Sequence, residues 1–217
     1  MASLTEQIDI YCERTDFTFW AEPVNAVTNA AILLAALIMW GRCAGLPLGR
    51  LLCVILAAIG VGSFLFHTFA TQWASLSDVI PIGIFILGYL FAVNWHFLGW
   101  PWWAALIATA GFLPYAAGAT WIFDQLPFFR ISDFYWTVPL LLLVYVAVFR
   151  RMLGPTAQGM LIGAGILSVS ITVRSIDMPL CANFPLGTHF LWHCLNGLML
   201  GWMIEVYRRN RLAVAPA

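Results

Sequence analysis

Seven apolar stretches, separated by short polar or aromatic-rich breaks, organise the chain: 24–40, 51–70, 79–95, 102–122, 134–149, 160–173 and 188–206. Spans of a membrane β-barrel would alternate apolar and polar positions over ~10 residues, and these runs do not. Each comes close to the ~20 apolar residues that carry a helix across a bilayer, the fifth and sixth being the shortest. The pattern predicts an all-α integral membrane protein, a bundle of seven transmembrane helices in a single domain over 1–217. A polar arm, 1–23, precedes the first helix, and a tail, 207–217, follows the last. The arm ends in Trp20-Ala21-Glu22-Pro23. The proline suits a first helical turn, where its missing N–H costs nothing.

Composition narrows this reading. The 217 residues are 62% hydrophobic and 9% charged, where soluble domains carry about 25% charged residues. The formal net charge is zero and no polybasic run exists, which argues against a nucleic-acid partner. The first residues are acidic (Glu6, Asp9, Glu13, Asp16 and Glu22 against Arg14), unlike a cleavable secretory signal. Tryptophans and tyrosines fall near segment ends, as at Trp40, Trp95, Trp102, Trp121, Tyr135 and Tyr207, the placement of an interfacial belt. With seven spans, Arg42, Arg50, Arg150, Arg151, Arg208, Arg209 and Arg211 share one side, and Arg14, Arg130 and Arg174 the other. The positive-inside rule then puts the N-terminus outside and the C-terminus in the cytoplasm.

Ionisable groups inside membrane helices are expensive and mark function by default. Gly187-Thr188-His189-Phe190-Leu191-Trp192-His193 opens the last segment and sets two of the four histidines at i and i+4, on one helix face. Gly62-Ser63-Phe64-Leu65-Phe66-His67 ends the second segment with the same spacing between Ser63 and His67, and Asp78 follows in the turn to the third. In the predicted topology all five residues reach the outer end. Three imidazoles suit zinc, which takes nitrogen ligands tetrahedrally, leaves a fourth position for water and lowers that water's pKa to about 7. Asp78 is placed to relay a proton, and Ser63 to donate to an oxyanion. His96, beside Trp95, reads as an interfacial residue.

These elements resemble the alkaline ceramidases: Gly62-Ser63-x3-His67, Asp78 eleven residues later, and Gly187-Thr188-His189-x3-His193. That family belongs to a superfamily of seven-helix membrane hydrolases that includes adiponectin-receptor-like proteins. The histidine spacing is common to the superfamily, whereas Tyr11-Cys12-Glu13 and Trp20-Ala21-Glu22-Pro23-x-Asn25 are similar to the ceramidase N-terminus. The likeness runs from about residue 9 to 205. It implies zinc on His67, His189 and His193, assistance from Ser63 and Asp78, and hydrolysis of the amide of ceramide to a fatty acid and a sphingoid base. Together with the short loops it implies a bacterial inner-membrane protein with its site towards the periplasm.

The arm departs from the family pattern. Eukaryotic members bind calcium near the Cys-Glu element through an aspartate two positions before the cysteine; Ile10 stands there in this chain. Calcium takes several oxygen ligands, which Asp9, Glu13, Asp16 and Glu22 can supply, or the arm is simply acidic and solvated. Glu22, Asn25 and Asn29 continue one face into the first helix. Cys12 and Cys181 both fall in outer segments, so a bridge between them would pin the arm to the loop before the last helix if that side is oxidising. Cys43, Cys53 and Cys194 read as buried or reduced thiols. Arg174 and Asp177 read as an ion pair or as a contact for a substrate's polar head. Two rivals stand beside a ceramidase: a hydrolase of another N-acyl lipid, and a lipid receptor whose zinc is structural. The sequence is silent on oligomeric state.

Overall fold

The computed structural model describes residues 3–214; residues 1–2 of the arm and 215–217 of the tail lie outside the described residues. Among the described residues the secondary structure is helical, without strands. Six stretches are long and apolar enough to cross a membrane. The first, Pro23–Arg42, is built from α1 (Pro23–Thr28) and α2 (Ala30–Arg42), with Pro23 in the opening turn. Next come α3 (Pro47–Phe69) and α4 (Gln72–Ala92), the latter extended by a π-helical turn at Val93–Phe97. Helices α5 (Trp102–Ala110) and α6 (Phe112–Asp124) share the fourth, and α7 (Asp133–Leu153) and α8 (Thr156–Ser175) supply the last two. Outward residues such as Leu37 and Trp121 are 72% and 69% exposed. An apolar surface of this kind is tolerable only against another apolar phase.

After α9 (Asp177–Leu180) the chain enters α10 (His189–Val214), 26 residues long and therefore about 39 Å from end to end. It packs against α2 and α8, yet it is less apolar than the six spans, because His189, His193, Asn196 and Glu205 lie along it and Arg208, Arg209, Asn210 and Arg211 fall near its end.

Two close approaches fix the bundle around the site. A Cβ at Gly62 would collide with the Ser77 carbonyl oxygen, so only glycine lets α3 and α4 meet there, and Ser63 is thereby brought beside Asp78. A Cβ at Gly197 would come within 2.8 Å of the Ala31 backbone, so α10 rests directly on the start of α2. Beneath, Leu52, Leu56, Ile59, Met160, Ile171 and Ile204 form one continuous core.

The expected α3–α4 boundary needs correction. Ala70 takes a left-handed conformation (φ 47°) and Thr71 an extended one, so two residues make the whole turn. Helix α4 begins at Gln72, and Asp78 lies in its second turn rather than in a loop. Polar Gln72, Ser75 and Ser77 mask this first part of the helix in the hydropathy pattern. The arm closes over the turn: the Ile8 N–H donates to the Ala70 carbonyl (2.7 Å), and the Gln72 and Trp73 N–H groups donate to the Glu6 and Leu4 carbonyls (3.0 Å each). At the opposite end Glu205 gathers Arg42, Arg208 and Arg209, and the Tyr207 hydroxyl meets His96 Nδ1 at 3.1 Å.

Candidate metal centre

His67 lies in the last turn of α3, and His189 and His193 occupy the first two turns of α10. All three are buried, with no more than 2% of their surface exposed. One nitrogen from each lies within 4.8 Å of the others. The ring centroids are 4.7 Å (His67–His193), 4.7 Å (His189–His193) and 5.1 Å (His67–His189) apart. Among the described residues this is the group of His, Cys, Asp and Glu side chains placed to hold a metal ion.

Neighbouring groups settle the tautomers of His67 and His193. His67 Nδ1 lies 2.6 Å from Glu22 Oε2. A carboxylate only accepts, so Nδ1 carries the proton and Nε2 keeps its lone pair. The Thr28 hydroxyl donates to the Val24 carbonyl (2.7 Å) and so accepts from His193 Nδ1 (3.0 Å), which frees the other nitrogen of that ring. His67 Nε2 and His189 Nδ1 are buried with no hydrogen-bond partner. Two unsatisfied buried nitrogens in one cluster are costly unless something accepts their lone pairs. A divalent metal ion held by the three imidazoles would answer that requirement.

The arm supplies the surroundings. Tyr11 stacks on His189 with ring centroids 3.6 Å apart, and burial pushes its phenol pKa up. Arg14 pairs with Glu22 (2.5 Å) and donates to the His67 carbonyl (2.9 Å). Burial alone would raise the pKa of Glu22, but contacts with His67, Asn25 and Arg14 together bring it below the ordinary carboxylate value. Asp177 accepts from the N–H groups of Thr188 (2.7 Å) and His189 (2.9 Å) through Oδ1, and from that of Cys12 (2.9 Å) through Oδ2. Cys12 and Cys181 are joined as a disulfide.

Ser63, Asp78 and His193 line one cavity, with Asn196 as a further polar contributor. Its walls are otherwise apolar or aromatic, among them Ile59, Ile82, Phe85, Leu142, Met160 and Met203. From Asp78 to Val93 along its wall is 15 residues of helix, about 22 Å. Helices α4 and α7 both line it without packing extensively on each other.

Other expected groupings are not brought together. Asp9 is exposed; Glu13 accepts from the Val24 and Asn25 N–H groups (2.7 and 2.8 Å) at the start of α1; Asp16 accepts from Thr18; Glu22 is held by Arg14, Asn25 and His67. Of the four carboxylates expected to hold calcium, Glu13, Asp16 and Glu22 are thus engaged separately, and Asp9 stands exposed. The ion pair between Arg174 and Asp177 does not form either: Asp177 faces backbone N–H groups, and Arg174 turns to Ser132 and Tyr11. Cys43 and Cys53 are buried free thiols, and Cys194 is free but exposed. Sequence reasoning missed Thr28, Asn196 and the capping role of Asp177. The one available signal was Asn196, three residues after His193 and so on the same helix face.

No protein-family model and no curated protein matches the chain. The functional reading rests on this geometry.

Proposed function

We propose that the chain is a zinc-dependent intramembrane amidohydrolase that cleaves ceramide, a long-chain N-acyl sphingoid base, to a fatty acid and a free sphingoid base. One observation carries the reading: three buried imidazoles with free lone pairs converge at the polar end of a long apolar cavity, beside Ser63 and Asp78. Zinc held by His67, His189 and His193 would supply Lewis acidity and a water with a pKa of about 7.

The chain's own groups account for the remaining work. Glu22 and Thr28 hold His67 and His193 in the tautomer that presents a lone pair. The cavity takes the acyl chain and excludes bulk water, reached sideways between α4 and α7. Ser63 Oγ donates to the amide carbonyl oxygen as it gains charge. Asp78 takes a proton from the attacking water and delivers it to the amide nitrogen, so that the C–N bond breaks to acid and amine.

In this reading α10 is the seventh transmembrane helix. The arginine-rich end around Glu205 faces the cytoplasm, and the arm with its disulfide faces the periplasm of a bacterial inner membrane, where oxidising conditions preserve the bridge.

The test combines metal analysis with fluorescent ceramide. Wild-type protein is expected to carry about one zinc per chain and release fatty acid; Asp78→Asn should keep the zinc and lose about 10²–10⁴-fold in turnover. Zinc-loaded wild type that releases fatty acid from no N-acyl lipid would leave a lipid receptor with structural zinc.

A further inference from the structure

Four asparagines are buried among the described residues, and three of them spend their amides inside the protein. The Asn25 amide donates to Glu22 Oε2 (3.0 Å) and that of Asn29 to the Asn25 carbonyl (2.9 Å). Asn94 donates to Thr109 Oγ1 (3.3 Å) and accepts from the Tyr145 hydroxyl (2.9 Å). The fourth, Asn196, is only 7% exposed, yet among the described residues no group hydrogen-bonds to its side chain. It lines the cavity instead, three residues beyond His193 on the same face of α10 and about 4.5 Å deeper along the helix. The other walls have turned apolar at that depth. One turn in from Ser63 on α3 stands Ile59, and one turn in from Asp78 on α4 stands Ile82; on α10 itself Met199 and Leu200 follow.

A primary amide taken out of water without a partner is costly. Asparagine does join transmembrane helices, but through a hydrogen bond across their interface, and Asn196 makes none. Close packing does not require it either, because the neighbouring Gly197 is the residue that lets α10 rest on α2. A ligand in the cavity is the partner that remains. An amide offers a donor and an acceptor side by side, and a hydroxyl gives one hydrogen bond while taking another.

We infer that Asn196 is a specificity-determining residue that binds a hydroxyl on the acyl chain beside the amide carbonyl, so that the preferred ceramides are those with a 2-hydroxyacyl or 3-hydroxyacyl chain. This rests on the hydrolase reading for the direction in which the acyl chain runs. With the carbonyl at Ser63 and the histidines, the chain passes Asn196 before it meets Met199 and Leu200, and a hydroxyl on its second or third carbon comes level with the side-chain amide. A plain chain leaves that amide against methylenes. A hydroxyl far along the chain falls among apolar side chains such as Phe85 and Met203. Both leave a buried polar group unpaired and are disfavoured.

The test uses full-length zinc-loaded protein in detergent and four probes: sphingosine N-acylated with palmitate or with its 2-hydroxy, 3-hydroxy or 16-hydroxy derivative. The kcat/KM is measured for wild type, Asn196→Leu and Asn196→Ser, and calorimetric binding for the same three with Asp78→Asn added to stop turnover. Wild type is expected to favour the 2-hydroxy or the 3-hydroxy lipid over the plain one by about 10- to 100-fold, and whichever leads fixes the carbon. Asn196→Leu should bring that ratio close to one. Asn196→Ser, which keeps a hydroxyl on a shorter side chain, should fall between. A wild type indifferent to the hydroxyl, or one that favours the 16-hydroxy lipid equally, would overturn the subsite whether or not the variants fold. A zinc-loaded Asn196→Leu protein with the wild-type ratio would overturn it too. An Asn196-dependent preference in binding, without hydrolysis of any probe by wild type, would retain the subsite and remove the hydrolase.

Discussion

Glu22 shows how one side chain can decide whether an imidazole is a ligand. Its Oε2 meets His67 Nδ1 at 2.6 Å and its Oε1 meets Arg14 Nε at 2.5 Å, so the carboxylate is held from behind while it holds the ring. Outer partners of this kind are worth about 10–100-fold in metal affinity. Glu22→Gln should therefore lower zinc affinity by about that factor, read by competition with a chromogenic chelator, while His67 itself stays in place. Unchanged affinity would mean that packing alone orients the ring. The histidines were legible in the sequence because i, i+4 spacing on a helix leaves little freedom. Glu22 was legible only as a residue on the inward face of the first helix. Its partner lies 45 residues away, and which of several arm carboxylates reaches His67 is set by how the arm folds back, a long-range event with no local signature. The same limit explains why Asp9, Glu13 and Asp16 read as companions of Glu22 although Glu13 and Asp16 have partners of their own and Asp9 is exposed.

At the scale of elements, the helices were readable and their ends were not. Apolar runs locate membrane helices well because the bilayer forces every backbone group into an internal hydrogen bond. Polar first turns, as at Gln72 to Ser77, then look like loops, and Asp78 was placed in a turn it does not occupy. The start of α10 shows what replaces a local cap: Asp177, eleven and twelve residues upstream, accepts from the Thr188 and His189 N–H groups and also from that of Cys12. A carboxylate at a helix N-terminus also meets the favourable end of the macrodipole. Asp177→Ala leaves three N–H groups without their acceptor and should cost at least about 2 kcal/mol, seen as a lower melting temperature in detergent. Asp177→Asn, which keeps one acceptor oxygen, should lose less. Because the capped residue is His189, both variants should also bind zinc more weakly in the same order. Equal metal affinity in both would separate the cap from the site.

For the whole molecule the question is what keeps the arm on the bundle. The arm brings Tyr11, Arg14 and Glu22 to the histidines, but its own backbone is tied to the α3–α4 turn by only a few hydrogen bonds. The Cys12–Cys181 bridge fastens it to the segment before α10 across 169 residues of sequence. For a soluble chain a loop of that size would correspond to about 5 kcal/mol of stabilisation through the unfolded state. Inserted helices stay inserted when their packing is lost, so the bilayer already restricts that state and the gain must be well below the soluble figure. The consequence is local rather than global. Reduction, or Cys181→Ser, should move the melting temperature modestly while speeding amide exchange at Cys12, Val24 and Asn25, whose N–H groups depend on Asp177 and Glu13 staying opposite them. Zinc should then leave faster in the presence of chelator, because Tyr11 and Glu22 move with the arm. Exchange mass spectrometry on oxidised and reduced protein reads this directly. Protection unchanged in the arm would show that burial of Tyr11 and the Arg14–Glu22–His67 chain hold it without the covalent link.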